Sequence, residues 1–448
     1  MRRLSKTLKR TVIVESAYLG KPKLAILREL EEAYREMVEE VVKYAVENNA
    51  KSMAKLHKAL YKRLREKYPE MPTRLVKGAI ADAARRAKSF LRLKRLGRAY
   101  TDKPEVKRVT ITYPDNQDWR LQGDAILLKT HRGWLEVPLR IHKHYIRYRY
   151  GGWRLGRELR FKITGRTLVF YLVFERELDI EYEPVNVVAV DVNENNVTVA
   201  IYKNAKLAYL ERIETSLGRI VIAYTEKRRK IMKGHHWSDR CVRKRLKKLA
   251  KRERNRKLDI LRKTARRIIE LARKYNAVVV VGDIAKHKKR VVERQRQSAL
   301  RHRLHQWSVV TLVRLLQVSP VHVELVDERG TSSIDPFSNR RIWRWLHSVT
   351  RVAARGGHRY VRVRVYRLRL RLGPVDGYMV ERDFIGAINI GARWLWANGF
   401  HPDVRGVAFP ANGAHEAPAT LVSGGRGTNP ALKAPVIIKN HSKKHSKL

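Results

Sequence analysis

The sequence has few cysteines, few acidic residues and no long apolar run. Cys241 is the single cysteine, which excludes a disulfide framework and a thiolate zinc site within one chain. No segment has the length and apolarity of a membrane span, and no apolar stretch of a secretion signal follows Arg2 and Arg3. These absences predict a cytoplasmic protein without a membrane partner.

Basic residues, in contrast, are abundant. The 448 residues include 98 lysines and arginines against 43 aspartates and glutamates, which gives a formal net charge of +55. No small acidic ligand requires so much charge, so we expect a polyanionic partner, and nucleic acid is the obvious one. The length allows two or three domains, and scarce cysteine with abundant arginine is a weak indication of a thermophile.

One stretch, Val187 to Tyr202, has the pattern of two strands joined by a polar turn. Four apolar residues precede Asp191, and an asparagine-rich turn and an alternating segment follow it. A carboxylate at the end of a buried strand is costly unless something stabilises it. A metal ion or a capping hydrogen bond would satisfy Asp191, and the stretch alone leaves both open.

The segment from Lys23 to Arg98 has apolar residues spaced three and four apart, which predicts three amphipathic helices. The outer face of the third helix is strongly basic and includes Arg85, Arg86, Arg92 and Arg95. A charged helix face is usually only solvated. An unbroken run of cations nevertheless favours a phosphate-contacting surface here.

The following region, to Leu178, is rich in strand-like segments separated by turns. Between two of them, aromatic residues interleave with arginines, and the candidate nucleic-acid contacts there are Tyr148, Arg149, Trp153 and Arg154. Such interleaving suits single-stranded nucleic acid, and it equally suits an ordinary strand with aromatic pairs. The segment from Tyr182 to Pro184 is predicted to be a linker into the next domain.

The rest of the chain predicts three strands, a helix, a strand, a helix, a strand and a final helix. Acids stand near the ends of the first and fourth strands and at the start of the last helix, at Asp191, Asp283 and Asp383. This is an α/β order typical of the RNase H-like fold, in which carboxylates from separate elements converge on divalent metals.

These segments resemble the TnpB family, the transposon-encoded OrfB-type transposases that are RNA-guided, RuvC-like DNA nucleases related to the type V CRISPR effectors. The sequence DVNENNVTVA resembles their first RuvC motif, and ERDFIGAINIGARWL, Glu381 to Leu395, resembles the third. The segment RNRKLDILRKTARRIIELARKY resembles their basic bridging helix and the helix after it. RHRLHQWSVVTLVRLL with VELVDERGTSS resembles the stretch that leads to their zinc ribbon. The match covers roughly residues 184–396.

The resemblance implies a domain organisation for the whole chain. Residues 1–22 and 99–183 would form a β-barrel-like wedge domain, and 23–98 a helical recognition lobe inserted in it. Residues 184–396 would form the RuvC-like domain with a degenerate zinc-ribbon insert at about 330–378. Residues 397–448 would form a C-terminal tail, which is predicted to be disordered from about 417.

The resemblance also implies partners and ligands. The expected activity is metal-dependent hydrolysis of DNA, with guide RNA and double-stranded DNA as partners. Asp191 and Asp383 would hold Mg²⁺ or Mn²⁺, and the catalytic set would be Asp191, Asp283 and Asp383. Further nucleic-acid contacts are expected at basic positions on the bridging helix and on the alternating run of the insert, namely Arg254, Arg256, Arg362, Arg364 and Arg369.

The first departure from the family concerns zinc. The four positions of the family's ribbon cysteines hold Asp335, Ser338, Gly373 and Asp376. A structural zinc site needs four thiolate or imidazole ligands. We therefore expect no zinc site and no bound zinc.

The second departure concerns catalysis. Gly282 stands where the family has a glutamate, and Asp283 follows it on a predicted strand end whose side chains alternate faces. Three hypotheses remain open: an active nuclease that uses a repositioned Asp283, an RNA-guided DNA-binding protein with weak or lost cleavage, and a basic RNA-binding or structural protein without a guide. A defined co-purified RNA and a magnesium-dependent cleavage assay would separate them.

Overall fold

The computed structural model describes residues 1–102, 104–236, 239–283, 308–343, 346–354, 357–367 and 379–404. The chain forms two compact units, the first from Thr7 to Leu178 and the second from Met1 to Lys6 and from Asp179 onward. Strands β1 (Arg2–Glu15) and β7 (Thr167–Val192) contribute residues to both units. Within the described ranges, no helix is long and apolar enough to cross a membrane.

The first unit contains the three predicted helices, α1 (Lys21–Glu47), α2 (Met53–Lys67) and α3 (Thr73–Arg95). Their apolar stripes are buried in a core that continues into the strands of the same unit. Gly78 explains how closely α3 approaches the strand Ile111–Tyr113, because a Cβ at this position would collide with the carbonyl of Thr112.

Two sheets complete the first unit. Strands β2 (Ile111–Tyr113), β6 (Arg154–Thr164) and β7 pair in an antiparallel arrangement, and β1 also pairs with β7. The second sheet is the meander β3 (Trp119–Gln122), β4 (Ala125–Thr130) and β5 (Gly133–Pro138). The aromatic and arginine-rich segment is not a strand, because its first half is a short helix, α4 (Lys143–Arg149).

The second unit is built on a five-stranded sheet in the order β9, β8, β7, β10 and β11. The four further strands are β8 (Asn196–Lys203), β9 (Lys206–Glu214), β10 (Ala277–Gly282) and β11 (Val323–Val326). Strand β8 pairs antiparallel with both β7 and β9, and β10 and β11 run parallel to β7. The predicted order of these five strands along the chain agrees with the structure, whereas two helices, not one, separate β9 from β10, and three further strands precede the last helix.

Helices cover both faces of this sheet, which explains why the predicted run from Val187 to Val190 is uninterrupted by polar residues. Val188 and Val190 face a core formed with α5 (Leu217–Met232), α6 (Arg240–Lys274) and α7 (Val309–Gln317). Val187 and Ala189 face the other core, which is formed with α8 (Arg382–Ala397).

A small sheet precedes α8 in the second unit. It consists of β12 (Leu346–Ala354), β13 (Gly357–Arg367) and β14 (Met379–Glu381), all antiparallel. The alternating run of arginine with valine and leucine therefore forms a strand over its first part, and residues 368–378 lie outside the described ranges.

The predicted linker from Tyr182 to Pro184 is wrong, because β7 runs through it without a break. Glu183 pairs with Ala277, and the next pair on the β10 side joins Val187 to Val278. The residues between them form a bulge that accommodates Pro184, which has no amide hydrogen to donate. A proline in a strand therefore gave the appearance of a linker, whereas the two units meet nearby within this continuous strand, between Leu178 and Asp179.

Candidate active site

The carboxyl ends of three parallel strands meet at one edge of the sheet of the second unit. Val190 of β7 pairs with Val281 of β10, so Asp191 and Gly282 come next on neighbouring strands. Gly282 in turn pairs with Val326, the last residue of β11. Ligands of open α/β sheets bind outside this edge, so the residues that follow these strands are the candidates for function.

Asp383 reaches this edge from the first turn of α8. Asn196, which is buried, donates a hydrogen bond to Asp383 Oδ2 at 3.1 Å. Asn193 donates to Asp191 Oδ2 at 3.2 Å and to Asn196 Oδ1 at 3.3 Å. The asparagines of the turn after β7 thus link and orient the Asp191 and Asp383 carboxylates.

Glu328, two residues beyond β11, is an acid of this site that the sequence analysis missed. A Cβ at Gly282 would collide with Glu328 Oε2 and would lie 3.1 Å from Glu328 Cβ. The Glu328 carboxylate therefore occupies the space into which a side chain at position 282 would project. Glu328 therefore lies beside the position on β10 at which the TnpB resemblance led us to expect a glutamate.

Helix α8 holds the loop that carries Glu328. The buried Asn389 donates to the carbonyls of Thr331 and Ile334, both at 2.6 Å. Arg393 donates to the carbonyls of Asp327 and, at 3.0 Å, Arg329. One helix therefore carries Asp383 in its first turn and fixes the Glu328 loop one to three turns later.

The acids of this edge repel one another. Removal from water and the nearby charge of Asp383 raise the pKa of Asp191 to about 7. Burial, together with Asp191, Asp283 and Asp327, raises the pKa of Glu328 to about 8. Shifts of this size mark carboxylates that repel one another in a half-buried site, which is common where a site has a chemical role.

Arg212 of β9 is the main cation beside the site. Its guanidinium contacts Glu381, lies 3.0 Å from Glu214, and approaches Asp383 Oδ2 at 3.6 Å. These acids surround a side chain that is itself largely buried. Arg212 thus offsets the charge of Asp383, and the charge of Arg382 partly opposes the rise in the pKa of Asp191.

The donor set suits a hard divalent cation. Mg²⁺ and Mn²⁺ prefer carboxylate oxygens, and Asp191, Glu328 and Asp383 offer them at one edge. Two glycines leave room for these groups, since a Cβ at Gly386 would lie 2.7 Å from Asp191 Oδ2 and one at Gly282 would collide with Glu328. Within the described ranges, no three acidic, histidine or cysteine side chains already stand at ligating positions, so the carboxylates would have to draw together around an ion.

Asp283, the predicted replacement for the missing glutamate, follows β10. Its amide donates to the carbonyl of Val326 at 2.8 Å, which extends the pairing with β11 by one bond. It is position 282, and not 283, that faces Glu328, although the charge of Asp283 contributes to the raised pKa of Glu328. Asp283 is therefore at the same edge without being the acid in the expected place.

Two of the four ribbon positions are described. Asp335 is fully buried, and its Oδ1 accepts hydrogen bonds from the amides of Phe337 at 2.9 Å and Ser338 at 3.4 Å. The backbone of the same turn closes through a bond from Asn339 to the Asp335 carbonyl. A carboxylate thus organises the turn in which the family has a metal-bound cysteine. Gly373 and Asp376 lie outside the described ranges.

The side chains predicted to contact nucleic acid in the first unit differ in exposure and in whether an acid already pairs with them. Arg92 and Arg95 are exposed at the end of α3, whereas Arg85 and Arg86 both pair with Asp82, at 3.8 and 2.9 Å. In the aromatic segment, Tyr148 and Trp153 pack edge to face with ring centroids 5.0 Å apart and lie against the core. Arg154 pairs with Glu175 at 3.5 Å, and Arg149 lies over the ring of the exposed Tyr150.

The predicted contacts of the second unit are distributed along two elements. Arg254 and Arg256 are exposed on α6. Arg364 is exposed on β13 and reaches the neighbourhood of Asp383, with which it lines a pocket. Arg362 belongs to β13, but the structure describes only its backbone. Arg369 lies outside the described ranges.

Comparison with known proteins gives partial matches by sequence. A family model described as "Uncharacterized protein MJ0013 family" matches residues 30–128, which is less than half of the chain. A curated protein of Methanocaldococcus jannaschii, "Uncharacterized protein MJ0857", is 27% identical over 243 residues, which are 50% of this chain and 87% of that protein.

Comparison with solved structures covers most of the chain. The protein in the "Cryo-EM structure of the Cas12f1-sgRNA-target DNA complex" superposes with a TM-score of 0.51 at 12% identity over 87% of this chain and 99% of that chain. The protein in a Cas12i(E894A)-crRNA-dsDNA complex matches with a TM-score of 0.39 at 10% identity over 83% of this chain and 70% of that chain. At the level of fold, this chain is a mixed α/β protein similar to Cas12f1.

Proposed function

We propose that this chain is a TnpB-like, RNA-guided DNA endonuclease whose second unit is a RuvC-like domain of RNase H-like fold. The observation that carries the proposal is the meeting of Asp191, Glu328 and Asp383 at the carboxyl edge of the sheet, where Asp191 is coupled electrostatically to both other acids. The net charge of +55 supports a nucleic-acid substrate. The fold likeness to Cas12f1, a protein solved with a guide RNA and target DNA, supports the guided mode of action.

In this proposal, Asp191, Glu328 and Asp383 hold Mg²⁺ or Mn²⁺. Such ions activate a water molecule and stabilise the leaving oxygen of a phosphodiester. Asp191 is the ligand best placed to be shared, because it interacts with both other carboxylates. Asn193 and Asn196 keep the Asp191 and Asp383 oxygens oriented.

Glu328 is the reason why cleavage is favoured over guided binding alone. Gly282 removes the expected carboxylate from β10, and Glu328 returns a carboxylate to the same space from the neighbouring strand. Glu328 thus supplies a carboxylate beside a position that has no side chain of its own.

The remaining parts of the proposal follow the same resemblance. The first unit would act as the wedge domain and recognition lobe, holding guide RNA and target DNA with the exposed arginines of α3. The ribbon insert would function without zinc, because the buried Asp335 already satisfies two amides of its turn.

The test moves one carboxylate from position 328 to position 282. Glu328→Ala removes a metal ligand, and since a bound metal contributes several kcal/mol to the transition state, cleavage should fall about 10²-fold or more. Gly282→Glu alone should also lower the rate, because its side chain collides with Glu328 and adds a like charge. The double variant Gly282→Glu/Glu328→Ala should recover at least about tenfold over Glu328→Ala.

The matched control is Asp283→Asn, which removes the neighbouring acid that the sequence suggested. Guide-matched DNA cleavage in Mg²⁺ should change by less than about threefold in this variant, because position 283 does not face the Glu328 space. If Asp283→Asn abolishes cleavage while Glu328→Ala leaves it unchanged, the assignment of the third carboxylate is reversed. If the wild type never cuts, the nuclease proposal fails.

A further inference from the structure

Arg212 lies in line with Asp191 across the sheet of the second unit. Asp191 of β7 pairs with Thr198 of β8, and Thr198 pairs with Arg212 of β9. Residues that lie opposite one another on antiparallel strands point to the same face of a sheet, and this is the face that α8 covers. The register of three strands therefore places an arginine two strands away from the candidate metal ligand Asp191.

Arg212 joins β9 to the start of α8. Its guanidinium contacts Glu381, the residue that precedes α8, lies 3.0 Å from Glu214, and approaches Asp383 Oδ2 at 3.6 Å. The side chain of Arg212 is only 14% exposed. Three acids in different directions fix the orientation of a planar group whose N–H donors form a rigid fork. Arg212 therefore ties the first turn of α8, and with it Asp383, to the sheet.

A second donor reaches the same oxygen of Asp383. Asn196 donates to Asp383 Oδ2 at 3.1 Å, and Asn196 Oδ1 accepts hydrogen bonds from Asn193 and from the hydroxyl of Thr198, both at 3.3 Å. These bonds orient the Asn196 amide with its NH₂ group towards Asp383. Because Asn196 and Arg212 both address Oδ2, Oδ1 is the oxygen of Asp383 that we expect an ion to meet.

We propose that Arg212 is a positioning residue for the metal ligand Asp383, because it holds Oδ2 and thereby turns Oδ1 towards a divalent ion. This inference rests on the proposed function for the identity of the ion, and it adds the residue that sets the direction of one ligand. Groups that orient a ligating side chain contribute about 10- to 100-fold to metal affinity. The positive charge of Arg212 would by itself oppose binding of a cation, so the direction of the effect distinguishes positioning from charge.

The first test substitution is Arg212→Lys, which retains the positive charge but loses the guanidinium fork. The single nitrogen of a lysine cannot reach all three acids in the directions that the fork serves. Calorimetric titration of Mn²⁺ into the full-length chain at pH 8 should therefore show an affinity about tenfold or more weaker than that of wild type. The EPR spectrum of the bound Mn²⁺ should also change, because a carboxylate at the ion is reoriented.

The second substitution, Arg212→Gln, removes the charge together with the fork. Positioning predicts that Arg212→Gln binds Mn²⁺ more weakly than wild type, by about threefold or more, since the loss of orientation exceeds the relief of repulsion. Charge alone predicts tighter binding. Urea unfolding of both variants shows whether each is folded under the conditions of the titration, and either folded variant suffices for the test.

The matched control is Arg267→Lys. Arg267 of α6 donates two hydrogen bonds to Glu211, at 2.9 and 2.8 Å. Glu211 is the residue before Arg212 on β9, so this pair lies on the opposite face of the same strand. The control also exchanges a two-pronged arginine contact for a lysine contact, and it should keep the Mn²⁺ affinity and the EPR spectrum of wild type.

The outcomes separate this inference from the proposed function. If wild type binds Mn²⁺ and cuts guide-matched DNA, and the Arg212 variants bind Mn²⁺ as tightly as Arg267→Lys or more tightly, the positioning role is wrong and the nuclease proposal stands. If wild type binds Mn²⁺ but does not cut, and the Arg212 variants bind the ion more weakly, the nuclease proposal fails and the positioning role stands. A wild type that binds no Mn²⁺ contradicts both.

Discussion

Buried acids occur in two kinds of place within the second unit, and the contrast between them identifies the site. Glu211 is 5% exposed and receives two hydrogen bonds from Arg267, at 2.9 and 2.8 Å. Glu253 is 3% exposed, contacts Arg228, and lies 3.2 Å from Lys257. In a chain this basic, a structural carboxylate readily obtains a cation.

The acids at the sheet edge differ in their neighbours. The pKa of Asp191 is raised to about 7 by burial and Asp383, against the opposing charge of Arg382, and that of Glu328 is raised to about 8 by burial and three neighbouring acids. Arg212 approaches Asp383, but within the described ranges neither Asp191 nor Glu328 forms an ion pair, although the chain has 98 basic residues. We propose that a metal cation takes that place. Glu211 and Glu253 are thus structural acids paired with cations of the chain, whereas Asp191 and Glu328 are the acids that we propose to bind a metal ion.

The largest expected effect comes from Asp191→Asn. Cleavage of guide-matched DNA in Mg²⁺ should fall by about 10³-fold, since several kcal/mol of metal stabilisation are lost. Affinity for guide RNA should stay within about twofold, because no phosphate-contacting arginine changes. A variant that cuts as fast as wild type would remove Asp191 from the chemistry.

Glu253→Gln should have the opposite profile. Breaking a buried ion pair leaves Arg228 and Lys257 without a counter-charge, which costs about 3 kcal/mol of unfolding free energy. Metal binding should be unchanged. The control on the same helix is Asp259→Asn, which breaks an exposed pair with Lys263 at 2.9 Å and should cost less than about 1 kcal/mol in a urea titration. Equal costs would mean that burial does not distinguish these acids.

Asn389→Ala should loosen the loop that carries Glu328. Its two hydrogen bonds to the loop would be lost, and groups that position a metal ligand typically contribute 10- to 100-fold to metal affinity. We expect about a tenfold weaker Mn²⁺ affinity by calorimetry. Asn398→Ala, which removes a 2.9 Å bond to the Trp394 carbonyl at the far end of the same helix, should leave that affinity unchanged.

A further prediction concerns the pH dependence of stability in the absence of metal. The pKa values of Asp191 and Glu328 are raised in the folded chain, so folding retains protons that the unfolded chain has released. This contribution is complete below about pH 4 and is lost as the pH rises through about 7 and 8. Between pH 5.5 and 8.5 the free energy of unfolding of wild type should fall by on the order of several kcal/mol more than that of Asp191→Asn/Glu328→Gln. Parallel curves in urea would contradict the repulsion.

Much of the second unit was predictable from sequence because its signals are local. A buried strand, a polar turn and an alternating strand predicted β7 and β8, and the acid after the first of them marked Asp191. Asp383 was marked by its position at the start of an apolar helical pattern. The pattern that marks each of these two residues lies within a few positions of it in the chain.

Glu328 was missed because its role depends on a contact between strands. Nothing near position 328 indicates that the missing side chain of Gly282, 46 residues earlier, leaves a space for it. A usable signal did exist, since Asp327 and Glu328 directly follow a predicted strand parallel to β10. The same limitation affects Tyr148 and Trp153, whose exposure depends on how α4 packs against the core.

The most direct test of the contrast between paired and unpaired acids is a calorimetric titration of Mn²⁺ into the full-length chain at pH 8. Wild type should bind one or two ions per chain, Asp191→Asn/Glu328→Gln should bind none at this site, and Glu253→Gln should bind as wild type does. Affinity should weaken as the pH falls towards 6, because protons compete for carboxylates of raised pKa. Equal Mn²⁺ binding by wild type and by Asp191→Asn/Glu328→Gln would contradict the account.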